Sequence, residues 1–285
     1  MSLSVDVQHQ AQIASNLSGL AHYDSFASHR DASTHLILQS GSSAGPGPRL
    51  CVLGAGNAFD LDLSALLGRF AELHLVDIDP SALERARARV APSERARVLS
   101  HAPLDLSGMF EHIERWGRMQ VTPRELALAP AAGAERIAAA LPGPFDVVVS
   151  TCLLTQLQLQ LLELLGDQHR LFGALRQFLS LTHLRTLAAL SQPLGQALLI
   201  TDLCESAVFP AGRPRDSADL EPLLRELVRV GHVIHSSHPE LLTLTLQDDP
   251  VLARSFTSVK QSAPWLWQNG PELRFLVYGL ILQRA

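Results

Sequence analysis

No run of apolar residues in the chain approaches the roughly 20 needed to span a membrane. The opening MSLSVDVQHQAQIA also lacks the positive region and apolar stretch of a secretory leader. Neither export nor a membrane partner is therefore expected. Cysteine is scarce. Cys51, Cys152 and Cys204 stand too far apart for a zinc knuckle, and three thiols in apolar strand contexts fit buried side chains in a reducing compartment, so a cytoplasmic location is expected. A basic block is missing as well: the formal net charge is −5, and the arginines are scattered along helical stretches such as LERARARV and LLRELVRV. Without a clustered positive face there is no footprint for a phosphate backbone, and nucleic acid is not expected as a partner. Internal repeats and low-complexity segments are absent too.

What is present suits one large α/β unit with additions. The 285 residues are 47% hydrophobic and 18% charged, enough for a sizeable core without staples. Residues 1–40 carry helix-like spacing at Ile13, Leu17 and Leu20 and again at Leu36 and Leu38, and read as a helical cap. The run SGSSAGPGPR is rich in turn formers and has no periodicity, so residues 41–49 read as a connector to a main domain over 50–285. There, short apolar runs alternate with longer amphipathic segments. The candidate strands are LCVL (50–53), ELHLVDI (72–78), ARVLSH (96–101), FDVVVST (145–151), QALLITD (196–202) and LRFLVYGLILQR (273–284). This alternation predicts a parallel sheet covered on both faces, with extra helices inserted near 120–144 and 153–191.

The stretch LCVLGAGNAFDLDL runs a strand into Gly54-Ala55-Gly56 and a helix start. Glycine has no Cβ and accepts positive φ, so a cofactor can approach the main chain there. Asp77, in HLVDIDP, ends the second strand about 20 residues further on, where a carboxylate accepts hydrogen bonds from both ribose hydroxyls of an adenosine. A dinucleotide fingerprint needs a third glycine, but Phe59 stands at that position and Asp60 follows it. An acidic group repels a pyrophosphate and attracts a sulfonium or an ammonium, which favours S-adenosyl-L-methionine over a nicotinamide dinucleotide.

The motifs VLGAGNAFDLDL, LVDIDP, VLSHAPLDL and FDVVVSTCLLTQL follow in that order. With them the sequence resembles the class I S-adenosylmethionine-dependent methyltransferases over roughly residues 50–284. The resemblance implies a Rossmann-like doubly wound sheet of seven strands, mostly parallel with an antiparallel last strand, and PWLWQNGPELRFLVYGLILQR as the closing hairpin. It also implies cofactor contacts: Gly54, Ala55 and Gly56 against the methionyl part, Asp77 on the ribose and Ile78 on one face of the adenine. His101 and Ala102 stand where the family reads the adenine amino group, with Asp105 as a nearby substitute, and Ser150 and Thr151 end the fourth strand beside the transferred methyl. One departure is Val52, where the family often carries an acid; Asp60, assisted by Asn57, is expected to hold the cofactor ammonium instead.

The expected activity is methyl transfer to a small organic acceptor by in-line displacement, which depends on alignment and needs a base only if the nucleophile must lose a proton. A methyltransferase acting on protein or RNA and a nicotinamide-dependent oxidoreductase are the alternatives. HYDSFASHR offers Tyr23 and His29 to orient or deprotonate a substrate and Arg30 to bind it, although Tyr23 and Phe26 equally suit anchoring of the cap. Gln156, just past the fourth strand, is a further candidate substrate contact. Trp265 and Trp267 share one side of an extended segment and suit either a pocket wall or the core. His232, His235 and His238 lie in a loop-like stretch, GHVIHSSHPELL, and are expected to be solvated, with no metal site.

Overall fold

The computed structural model describes residues 10, 13–14, 16–17, 19–40, 47–109, 112, 115–116, 121–209 and 220–285. Residues 41–46 of the expected connector lie outside the described residues. Strands β1 (Arg49–Leu53), β2 (Glu72–Val76), β3 (Val98–His101), β4 (Phe145–Thr151) and β5 (Ser191–Glu205) pair in parallel, in the order 3-2-1-4-5. β8 (Leu273–Arg284) runs antiparallel to β5 and is flanked by β6 (Phe256–Gln261), completing the path 3-2-1-4-5-8-6. β7 (Trp265–Asn269) lies off this path and pairs with the first half of β8. The expected closing hairpin is therefore present. The expected seven strands form the continuous path, and β7 is an eighth.

The helices are α1 (Ala27–Gln39), preceded by a 3₁₀ turn over Gly19–Phe26, α2 (Leu63–Leu67), α3 (Pro80–Ala88), α4 (Pro123–Ala139), α5 (Leu153–Leu165), α6 (Phe172–Leu190), α7 (Leu220–Val230), α8 (Pro239–Asp248) and α9 (Pro250–Ser255). Their starts are written in the sequence. Asp62 accepts from the Ala65 N–H, and Asp79 accepts from the Ser81 N–H with Pro80 at the first helical position. Thr122 and Glu125 close a reciprocal capping box at the start of α4. Helix α4 occupies the expected 120–144 insertion, and α5 with α6 fills 153–191.

Alternation along the strands sorts the core into two layers. Cys51 and Leu53 face α5 and α6 with Leu154, Phe178 and Leu184. Leu50 and Val52 face the other way, onto Leu66, Phe70, Leu83 and the α1 residues Leu36 and Ile37. Helix α1 is thus part of the core and not a layer laid over it. Gly279 of β8 makes room for it: a Cβ there would stand 2.6 Å from Leu36 Cδ2. All three cysteines are buried and free, as expected. Among the described residues no helix is long and apolar enough to cross a membrane.

Candidate functional site

The site lies at the C-terminal edge of the parallel strands, where β1 ends in the glycine turn. The Gly54 and Ala55 N–H groups donate to the Val76 carbonyl at 2.9 and 3.0 Å, which ties the turn to the end of β2. Gly54 (φ +70) and Gly56 (φ +47) take left-handed conformations, and Ala58 follows at φ 49. A Cβ on Gly54 would meet Leu153 Cδ1 at 2.9 Å and Leu153 Cβ at 3.0 Å, so only glycine fits beneath the start of α5.

Asp77 carries the other side of the turn. Its Oδ2 accepts from the Gly56 N–H at 2.8 Å and its Oδ1 from the Asp79 N–H at 2.9 Å. Burial raises its carboxyl from the ordinary aspartate value, and the two N–H groups oppose that rise. Outside the turn, two arginines satisfy its carbonyls. Arg89 donates to Asn57 O at 2.5 Å and Ala58 O at 2.7 Å, and Arg30 donates to Phe59 O at 2.9 Å. The turn's outward polar groups are therefore engaged while its inner face stays open.

Around that inner face a cavity is lined by Gly54, Ala55, Gly56, Asn57, Asp60, Asp77, Thr151, His29, Gln156 and Trp267, all of them anticipated from the sequence. A narrower cleft continues past Gly54 and Asp77 to Ile78 and Asp105. Asp60 is half-buried; burial pushes its carboxyl up to about 6, opposed by the Thr151 hydroxyl and by Arg89 and Arg30. Asn57 is committed elsewhere: its Nδ2 donates to Asn16 O at 2.6 Å and its Oδ1 accepts from Arg85 at 2.8 Å. Asp105 accepts from the Ser107 N–H and hydroxyl.

Other anticipated residues stand apart from both spaces. Ser150 turns away and pairs with His183 Nε2 at 2.8 Å in the core. His101 pairs with buried His74, their ring nitrogens 3.0 Å apart and their rings stacked, because alternate residues on neighbouring strands share a face. Ala102 packs against the α1–α3 side of the core. Tyr23 and Arg30 form a cation–π pair, 4.2 Å from guanidinium carbon to ring centre, outside Phe59. Trp265 donates through Nε1 to His29 Nδ1 at 2.9 Å and lines neither space. Because an indole N–H only donates, that bond fixes His29 as the neutral tautomer with its proton on Nε2. Burial pushes its pKa down to about 3, too low for proton abstraction near neutrality.

Sequence reasoning missed three features. Asn16 reaches the rim, donating from Nδ2 to Asp79 Oδ2 at 3.1 Å, and His22 and Phe26 line the wall beside it. The third is a cavity of about 710 Å³ that shares Cys152, Gln156, Trp267 and Asn269 with the first and extends to Asp202, Glu205 and His232. Asp202 accepts a short hydrogen bond from the Thr155 hydroxyl, and the Cys152 thiol is a second neutral partner. Burial pushes the Asp202 carboxyl up to about 6. A signal was available: QALLITD ends an apolar strand on an aspartate, the same pattern that singled out Asp77. His235 and His238 flank the start of α8, and among the described residues no group of three or more His, Cys, Asp and Glu side chains is arranged to hold a metal.

The strand path 3-2-1-4-5-8-6 with an antiparallel β8 is the fold of class I methyltransferases. The solved structure of an O-methyltransferase family protein from Burkholderia thailandensis shares it, at 15% identity and a TM-score of 0.51. That likeness covers 100% of this chain but only 64% of the other. The YcgJ protein from Bacillus subtilis superposes more loosely, at 12% identity and a TM-score of 0.46, over 89% of this chain and 97% of that one. No family model and no curated protein matches the sequence.

Proposed function

We propose that the chain is an S-adenosyl-L-methionine-dependent methyltransferase acting on a small organic acceptor. One observation carries the reading: Asp77 forms a rim common to the glycine-turn cavity and to the cleft at Ile78 and Asp105. A buried carboxylate between two spaces suits a ligand whose ribose joins an amino-acid chain to a base. The turn fits such a ligand, since Gly54, Ala55 and Gly56 line the cavity wall beside the carboxylate. When bound, the cofactor supplies a methyl carbon activated on a sulfonium. In this reading Gly54, Ala55 and Gly56 pack on its methionyl part, Asp60 faces its ammonium, and Thr151 and Cys152 floor the space beside the methyl.

Asp60 in the cavity wall disfavours a pyrophosphate, hence a nicotinamide dinucleotide. The 3₁₀ turn, α1 and β7 bring His22, Phe26, His29 and Trp267 around the same cavity, an enclosure that favours a small acceptor over a protein or RNA. Titration calorimetry with S-adenosylhomocysteine is expected to show one-to-one binding and none with NAD. Binding of NAD in place of S-adenosylhomocysteine overturns the reading.

A further inference from the structure

We propose, resting on the methyltransferase reading above, that the cavity beyond Cys152 receives an acceptor bearing a primary ammonium group, and that Asp202 binds this group and takes its proton. The cavity, of about 710 Å³, has room for an arylalkylamine and opens onto the glycine-turn space through four shared residues. Its carboxylates are Glu163, Asp202 and Glu205, and among the described residues no lysine or arginine lines it. Trp267 and Phe275 stand in its wall with ring centres 5.1 Å apart, and aromatic faces attract organic cations.

Asp202 distinguishes this space from an acidic patch of surface. It is 6% exposed, yet its side-chain partners are the neutral Thr155 hydroxyl and Cys152 thiol, with no cation paired to it among the described residues. A buried carboxylate without a counter-ion is costly, and a ligand ammonium supplies the missing charge. The indole N–H of Trp267, buried in the wall common to both spaces, also has no partner among the described residues and can donate to an acceptor atom elsewhere on the ligand. An ammonium has no lone pair with which to attack carbon. One N–H bond must break with its electron pair kept by nitrogen, and the proton passes to a carboxylate oxygen of Asp202. Burial pushes that carboxyl up to about 6, so it is ionised near neutrality and more basic than an exposed aspartate.

The test is calorimetry on the full chain near pH 7.5, comparing phenethylamine with 2-phenylethanol, which has the same shape without the charge. With S-adenosylhomocysteine present, the amine is expected to bind at least about tenfold tighter, the ratio a charge-assisted hydrogen bond supplies. Asp202→Asn is expected to bring that ratio close to one. Glu205→Gln, on the exposed rim, is expected to reduce it about threefold and serves if the Asp202 variant does not fold. Amine binding no tighter than the alcohol, including no binding by either, overturns the proposal. If S-adenosylhomocysteine itself does not bind, the methyltransferase reading falls, and the same pair titrated into the protein alone still decides whether the cavity selects an ammonium.

Discussion

Asp77, just beyond β2, and Asp202, near the end of β5, are both buried at the same edge of the sheet, but their surroundings differ in kind. Asp77 is held by main-chain N–H groups from residues close to it in sequence or in the neighbouring turn. Asp202 is held by side chains from the start of α5. Main-chain donors cannot rotate away, so the Asp77 region is a fixed cradle. The Asp202 region keeps a charge that neutral side chains only partly stabilise, so it is a place where a ligand changes the balance.

The sharpest way to break the fixed cradle is Gly54→Ala. A left-handed alanine costs roughly 1–2 kcal/mol, and overpacking against Leu153 adds about 1–3 kcal/mol. The combined loss is expected to appear as a lower urea midpoint together with loss of S-adenosylhomocysteine binding. A stable variant that still binds would show that the turn yields more readily than its contacts indicate.

Asp202→Asn is expected to move stability the other way, and with a definite pH dependence. Burial raises the Asp202 carboxyl from an ordinary 3.8 to about 6, so the folded state binds more protons than the unfolded state between those values. Stability therefore falls as pH rises through that window, with the full penalty present above about pH 6 and none below about pH 4. The penalty amounts to roughly 3 kcal/mol. The variant is expected to melt higher than the parent at pH 7.5 and no higher near pH 4. Burial raises the Cys152 and Cys204 thiols and the Tyr278 hydroxyl beside Asp202 above their ordinary values, so these three stay neutral across that window. Equal melting gains at both pH values would reject the assignment of the penalty to Asp202.

Asp77→Ala is expected to weaken S-adenosylhomocysteine about tenfold to a hundredfold, the equivalent of one charge-assisted hydrogen bond of about 1.5–3 kcal/mol. Because Asp77 also ties down Gly56, Asp77→Asn sharpens the comparison by keeping one acceptor oxygen for the turn. The smallest effect belongs to Asp60→Asn. It is expected to weaken S-adenosylhomocysteine by about tenfold or less while sparing methylthioadenosine, which has no ammonium group. Equal loss for both ligands would remove Asp60 from that role.

The same contrast explains what the sequence disclosed. The glycine turn, Asp77 and the span of β8 were legible because each is a local pattern: a turn between a strand and a helix, or a long apolar run. Strand β6 was not, since FTSVKQ is an edge strand with mostly exposed side chains and shows no apolar alternation. The pairing of His101 with His74 depends on the register between β2 and β3, and the seating of Ser150 on His183 depends on the packing of α6. The large cavity gathers residues from four separated segments, with only the aspartate that ends QALLITD as a local sign. Helix α1 read as a cap because its apolar pattern is weak, yet Ile37 is fully buried and its neighbour Leu36 packs over Gly279.

Cys152, Gln156, Trp267 and Asn269 line both spaces, so the two chambers meet along four shared residues. A guest in one chamber rests against the same residues that a guest in the other must meet. Whatever tightening or loosening the first visitor imposes on the second is returned in equal measure when they arrive in the opposite order, since the four binding steps close a thermodynamic cycle. That shared lining makes the two chambers a coupled pair whose mutual influence is a single number, readable from either side.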